Sequence, residues 1–339
     1  MRHFLTLKDF SKAELYEIIT LAFVHKHAKS HYRDFVPPHL RTASLRDKNV
    51  ALIFEKPSTR TRVSFEAGIN QLGGRAIVLM GKDTQIGRGE PISDTARVLS
   101  GMVDMVMVRT FCQETLEELA RFSTIPVING LTDSYHPAQV LADVLTMLEC
   151  GFYLDDFAPY YAEFTGHNPN APKLPARVGS PIVAYIGDGN NMAHSWLNCA
   201  AILGLEFRLA TPKGYEAKEH ICASAAELAK HSQATITYTN DPIAAVRNAH
   251  IIITDTWVSM GQEEQKQRKL RDFAGFCVDS TLMGYADSKA IFLHCLPAYR
   301  GYEVSEEVIE SAQSKVWLEA HNRLYIQQGI MLWLLAQSN

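Results

Sequence analysis

The chain has 339 residues, 47% of them hydrophobic and 21% charged, with a formal net charge of -4. That length suits two α/β cores better than one. The charge balance excludes a polybasic field for nucleic acid or an anionic membrane, so an anionic ligand needs a local cluster of donors.

Short apolar strand-like runs alternate with helix-like segments, the pattern of βα repeats and parallel sheets. In the first half the strand candidates are Val50 to Phe54, Ala76 to Met80, Met105 to Val108 and Pro126 to Ile128. Each leads into a helix candidate: Ser58 to Leu72, Pro91 to Met102, Gln113 to Phe122 and His136 to Leu148. The stretch Gly151 to Pro181 breaks the pattern with several prolines and reads as a domain boundary carrying a surface excursion. Its aromatics, among them Phe157, Tyr160, Tyr161 and Phe164, predict that part of it packs. In the second half the strand candidates are Ile182 to Ile186, Glu206 to Ala210, Thr235 to Tyr238, Ile251 to Thr254 and Ile291 to Leu293. Glu319 to Leu335 reads as one amphipathic to apolar helix.

The six cysteines are scattered and form no C-x-x-C pair, which favours reduced thiols over a disulfide framework or zinc knuckle. The N-terminus lacks the apolar region of a signal peptide, and no apolar run reaches the roughly 18 residues of a membrane helix. The expected location is cytoplasmic.

The densest local signal is FEKPSTRTRVSFEAG. A strand ends near Phe54, Pro57 punctuates, and Ser58 stands where an N-cap belongs. A lone S-T-R would read as a plain capped helix. Five consecutive hydroxyl or guanidinium residues, Ser58 to Arg62, instead form an anion trap at a helix start. Arg60 and Arg62 do not share a helix face, so one is expected on the ligand and the other on a carboxylate such as Glu66. In YHPAQVL, Pro137 suits a first helical position, and His136 and Gln139 face one spot. A neutral imidazole and an amide can donate to a carbonyl oxygen and accept from an NH2 group. Arg109 ends the strand DMVMVR at the edge where open α/β sheets bind ligands.

The segments AYIGDGNN, ITDTWVSMG and FLHCLP also begin at carboxyl ends of strands. GDGNN is a weak dinucleotide fingerprint, because Met192 stands where the third glycine belongs and no acidic residue ends the next strand. A nicotinamide-dependent dehydrogenase is therefore disfavoured. Asp255 is suited to an amine or to capping. Pro297 predicts an extended backbone at Leu296, which frees the Leu296 carbonyl to point into a cleft as an acceptor. Cys295 reads equally as a small buried hydrophobe.

Taken together, STRTR (58–62), HPAQ (136–139), GDGNN (187–191), DTWVSMG (255–261), HCLP (294–297) and EAHNR (319–323) resemble the aspartate/ornithine carbamoyltransferase family. The SMG loop and HCLP are similar to its ornithine branch. The resemblance implies an α/β fold of two domains, each a parallel sheet flanked by helices, with the C-terminal helix packing back on the first domain. It implies a carbamoyl-phosphate-binding domain over 1–150 plus the helix 322–339, and an ornithine-binding domain over 151–321. By the same resemblance Ser58, Thr59, Arg60, Thr61 and Arg109 would hold phosphate, and His136, Gln139 and Arg323 the carbamoyl group. Asn191, Asp255, Ser259 and Met260 would hold the α-amino and α-carboxylate groups of ornithine, with Cys295 and Leu296 lining its attacking amine. Arg109, His136, Asp255, Cys295 and Arg323 would carry the catalysis. Gln85 matches a position that reaches into a neighbouring subunit's site, which implies a homotrimer or a multiple of trimers.

No cofactor or metal is expected, since carbamoyl phosphate brings its own leaving group and no H-E-x-x-H or similar spacing occurs. The chain departs from the family pattern in its longer 151–181 linker and in His321, where an acidic residue is usual. Another amine acceptor such as putrescine is the rival within the class. Lacking an α-carboxylate, putrescine would need neither Asn191 nor the SMG loop.

Overall fold

The computed structural model describes residues 1–81, 89–258 and 266–338. The chain divides into two compact units. The first comprises Met1–Leu145, Asp155–Leu174 and His321–Asn339; the second comprises Thr146–Leu154 and Pro175–Ala320.

The first unit opens with α1 (Lys12–Ala28), which the strand–helix alternation does not announce. Its buried face is nearly continuous from Leu15 to Val24, so it lacks the polar stripe that marks a surface helix. Ser11 and Glu14 close its start in a reciprocal capping box. After the short α2 (Pro38–Arg41) come β1 (Asn49–Phe54), α3 (Thr59–Gln71), β2 (Arg75–Met80), α4 (Ile92–Ser100) and β3 (Met105–Arg109). Then follow α5 (Gln113–Phe122), β4 (Val127–Leu131), α6 (Pro137–Glu149) and α7 (Phe157–Phe164). The sheet order is β2-β1-β3-β4 with every pairing parallel. Central β3 is buried throughout, whereas edge strand β2 alternates in exposure, as a strand covered on fewer sides must.

The second unit runs β5 (Ile182–Ile186), α8 (Asn191–Leu203), β6 (Glu206–Ala210), α9 (Glu219–Ser232), β7 (Thr235–Thr239), α10 (Pro242–Val246) and β8 (Ile251–Thr254). It continues through α11 (Lys266–Asp272), α12 (Ser280–Met283), β9 (Ile291–His294), α13 (Glu306–Ile309) and α14 (Val316–Ala336). Its parallel sheet has the order β7-β6-β5-β8-β9. The two-domain α/β arrangement read from the sequence is the one observed. Among the described residues no helix is long and apolar enough to cross a membrane.

Strand order reverses between β1 and β3 in one sheet and between β5 and β8 in the other. Loops leaving the carboxyl ends of adjacent strands diverge at such a point and open a crevice for ligand. The turns after β1 and β3 carry Ser58–Arg62 and Arg109, and those after β5 and β8 carry GDGNN and Asp255.

The C-terminal helix packs back on the first unit, as expected. The Gln328 amide donates to the Gly68 carbonyl at 3.2 Å, and the Trp333 indole to Glu17 at 2.6 Å. The excursion corrects the expected boundary. Residues 155–174 fold with the first unit, although the sequence reading gave everything from 151 to the second domain. The cause is aromatic burial against α1. Phe157 meets Tyr16 edge-on at 4.9 Å, Tyr161 meets Phe23 at 5.8 Å, and the Tyr16 hydroxyl donates to Asp156 at 2.8 Å. The excursion closes at its neck, where the Val178 N–H reaches the Gly151 carbonyl at 2.8 Å.

Phe157 is 3% exposed, so Phe157→Ala should destabilise the protein by about 3–5 kcal/mol. Urea unfolding followed by tyrosine fluorescence measures this. A shift below about 1 kcal/mol would mean that the excursion is not part of the core.

Candidate functional site

In the first unit, Ser58 caps α3 by accepting the Thr61 N–H at 3.3 Å. Arg62 points outward and pairs with Glu66 at 3.0 Å, the i,i+4 partner anticipated for one of the two arginines. Arg60 is half-buried. Thr61 is 1% exposed and is the hub of the cluster. Its hydroxyl accepts from Arg323 at 2.6 Å and from Arg109 at 3.4 Å. A hydroxyl oxygen has two lone pairs, so two guanidiniums occupy both and leave the Thr61 hydrogen as a donor.

Arg323 uses its other terminal nitrogen on the Gln139 amide oxygen at 2.7 Å, and the Gln139 NH2 donates to Asp143 at 2.8 Å. His136, 4% exposed, lies at the start of the same helix. Burial, reinforced by Arg323, Arg109 and Arg60, holds its imidazole well below the ordinary histidine range. His136 is thus neutral, able to donate from one ring nitrogen and accept at the other. The arrangement offers guanidinium, hydroxyl and imidazole donors to an oxyanion, with an amide acceptor beside them.

Two further ties hold the turns that carry these groups. Lys56, 6% exposed, is ion-paired with Asp133 and lies 4.2 Å over the Phe111 ring. Glu55 accepts the Thr110 hydroxyl, while its N–H donates to the Arg109 carbonyl at 2.9 Å. The turns after β1, β3 and β4 are thereby buckled together. Sequence reading passed over Lys56 and Glu55; their signal is two charges directly after a buried strand. It also passed over Asp143, a carboxylate inside the apolar run VLADVLTML.

In the second unit Asp255 is 6% exposed and accepts from three donors. They are the Asn190 amide at 2.7 Å, the Thr256 N–H at 2.8 Å and the Cys295 thiol at 3.1 Å. Asn190 also caps α8, accepting the Met192 N–H at 2.9 Å. Asn191, to which the resemblance assigns the ornithine contact, is the first residue of that helix and is partly exposed. Gly189 is required where it stands. A Cβ there would lie 2.3 Å from the Ala217 nitrogen and 2.6 Å from the Tyr215 oxygen, both backbone atoms. Behind the turn, Lys269 joins Asp188 at 2.5 Å and donates to the Trp257 carbonyl at 2.7 Å. Burial pushes the Asp188 carboxyl above the usual range against the pull of Lys269.

Leu296 corrects an expectation. Its backbone is left-handed, with φ of 58°, and not extended. The His294 ring turns the chain back by accepting the Leu296 N–H at 2.9 Å. That nitrogen is therefore unprotonated, and the other donates to Glu303 at 3.2 Å. Glu319 accepts the His294 N–H at 2.8 Å. Asp255, His294 and Cys295 bring potential metal ligands within 4.8 Å of one another, a grouping no local spacing revealed because β8 and β9 supply it. Both His294 nitrogens are already engaged, so the trio is arranged for hydrogen bonding. Gln85, Ser259 and Met260 lie outside the described residues.

The chain matches two family models: residues 2–149, described as aspartate/ornithine carbamoyltransferase, carbamoyl-P binding domain, and residues 181–334, described as the Asp/Orn binding domain of the same family. It is 54% identical over 334 residues to an ornithine carbamoyltransferase of Helicobacter hepaticus, covering 98% of this chain and 96% of that one. Among solved structures it is similar to the anabolic ornithine carbamoyltransferase of Campylobacter jejuni, with a TM-score of 0.84, 43% identity and coverage of 99% and 100%. The ornithine carbamoyltransferase of Pyrococcus furiosus matches with a TM-score of 0.80, 40% identity and coverage of 97% and 95%.

The lowered His136 pKa fixes a pH dependence. A histidine neutral in the fold but charged in the unfolded chain contributes stability that is full above about pH 6.5 and lost as the pH falls below it. His3 and His25, each lowered to about 4, act in the same direction. Urea stability should therefore drop from pH 7 to pH 5. His136→Asn should flatten that slope by about 1.4 kcal/mol per pH unit; an unchanged slope would show His136 protonating freely.

Proposed function

The chain belongs to the aspartate/ornithine carbamoyltransferase family, and we propose from that premise that it transfers the carbamoyl group of carbamoyl phosphate to the side-chain amine of L-ornithine. The products are L-citrulline and phosphate. The observation that carries this reading is the Thr61 hydroxyl, which accepts from two buried arginines beside a neutral imidazole and a polarised amide. Those are donors for a phosphoryl group and a carbonyl oxygen, with an acceptor for an NH2. The ornithine acceptor is supported by the names of relatives at 54% identity.

In this reading Ser58, Thr59, Arg60, Thr61 and Arg109 bind the phosphate, and His136, Gln139 and Arg323 bind the carbamoyl group. The Thr61 hydroxyl, with no acceptor capacity left, donates to a substrate oxygen. Asn191, Asp255, Ser259 and Met260 bind the α-amino and α-carboxylate groups, and Gln85 acts from a neighbouring copy. Cys295 and Leu296 line the amine.

The amine lone pair forms a bond to the carbamoyl carbon, and charge grows on the carbonyl oxygen. Arg109, His136, Thr61 and Arg323 stabilise that charge. The bond to the phosphate oxygen then breaks, and phosphate leaves with its electron pair toward Arg60 and the α3 start. The amine must be neutral to attack, yet a free alkylamine has a pKa of about 10.4. Asp255 and Cys295 orient it, and the Asp255 carboxylate takes its proton, with the departing phosphate as an alternative acceptor.

The protein is also proposed to act in the cytoplasm, in arginine biosynthesis, as a homotrimer or a multiple of trimers. Exposed Val63, Ile77, Val98 and Met102 on the first unit support assembly, being apolar surface that a partner copy would cover.

Supplying carbamoyl phosphate with ornithine, putrescine or aspartate separately tests the acceptor. Citrulline should dominate, with turnover rising into the alkaline range; carbamoylputrescine as the main product would refute the assignment. Arg60→Lys keeps the charge but loses the planar fork. It should lower kcat/KM for carbamoyl phosphate on the order of 100-fold, and near-normal steady-state kinetics would remove Arg60 from the site.

A further inference from the structure

Gln139 and Asp143 lie one turn apart on α6, 1% and 0% exposed. The Gln139 NH2 donates to the Asp143 carboxylate at 2.8 Å, and its oxygen accepts from Arg323 at 2.7 Å. The two ends of an amide have nearly the same shape, and chemistry alone decides between them. A carboxylate has no hydrogen to give, and a guanidinium has no lone pair to offer. Reversing the amide would set two donors against each other at Arg323 and two acceptors against each other at Asp143. The amide is therefore locked with its oxygen on the Arg323 side.

We propose that Asp143 is a positioning residue that makes the site specific for a carbamoyl over an acetyl group, by holding the Gln139 amide with its oxygen presented as an acceptor. This rests on the carbamoyl-phosphate reading above. Carbamoyl and acetyl phosphate have nearly the same shape and charge; one ends in NH2, the other in CH3. A fixed acceptor distinguishes them, because a buried acceptor facing a methyl is left unmatched. Without Asp143 the Gln139 NH2 loses a buried carboxylate acceptor, and the amide is held less firmly with its oxygen toward the Arg323 side.

The test is equilibrium binding of carbamoyl phosphate, acetyl phosphate and inorganic phosphate to the full-length protein by calorimetry. The wild type should prefer carbamoyl over acetyl phosphate by about tenfold or more. Asp143→Leu should lower that ratio about fivefold or more while leaving inorganic phosphate affinity intact. Asp143→Asn, which keeps volume but replaces a charge-assisted bond by a neutral one, should lower the ratio about threefold. The decisive arm is a double-mutant cycle with Gln139→Met, since a residue that acts through Gln139 has no further effect once that amide is gone. An unchanged ratio in Asp143→Leu and Asp143→Asn overturns the proposal, as does a loss that persists in the Gln139→Met background. Should Asp143→Leu fail to fold, Asp143→Asn alone decides by the same two criteria. A wild type that binds carbamoyl and acetyl phosphate equally sinks the carbamoyl reading itself, a different failure from a discriminating wild type with indifferent variants.

Discussion

Three guanidinium groups gathered around one buried imidazole repel one another, and much of the first unit is organised to hold them there. Thr61 takes one bond each from Arg109 and Arg323, and the Gln139 oxygen takes the other terminal nitrogen of Arg323. These neutral acceptors hold the cations in place without neutralising their charge, which in the proposed function would meet an arriving dianion. Burial, reinforced by the same field, keeps His136 neutral. A charged imidazole here would add repulsion and lose its acceptor nitrogen.

That constraint explains features remote from the cluster. Arg323 belongs to the last helix, so α14 must return to the first unit to deliver it, and buried contacts such as Gln328 to Gly68 hold the helix there. Arg109, Ser58 and His136 leave three different strands. The Lys56–Asp133 and Glu55–Thr110 pairs fasten the loops between them, so positional precision comes from buried ionic ties at the ends of rigid strands.

The second unit applies the opposite sign. Asp255 is supplied with three donors from three strand ends, Asn190 after β5, Thr256 beside it and Cys295 after β9. A carboxylate so satisfied is fixed in orientation, and in the proposed function it would present its negative charge to the amine substrate. The His294 ring and Glu319 perform the parallel task for the HCLP turn by occupying its N–H groups.

Much of this was legible in the chain itself. The nine strands among the described residues follow from short apolar runs, Ser58 from its place after Pro57, and the Arg62–Glu66 pair from helical spacing, because each is a local property of a few consecutive residues. The hub at Thr61 was not legible, since its donors stand 48 and 262 residues away. Nor was the polarity of Gln139, the orientation of Leu296 or the unit to which residues 155–174 belong. Each is settled by what a side chain meets after folding: an arginine from the last helix, an imidazole two residues back, the aromatic face of α1. Local propensity and periodicity therefore fixed the elements and the residue types at their ends. Only the packed chain decided which of those residues touch, because burial and hydrogen-bond satisfaction depend on neighbours that sequence distance does not encode.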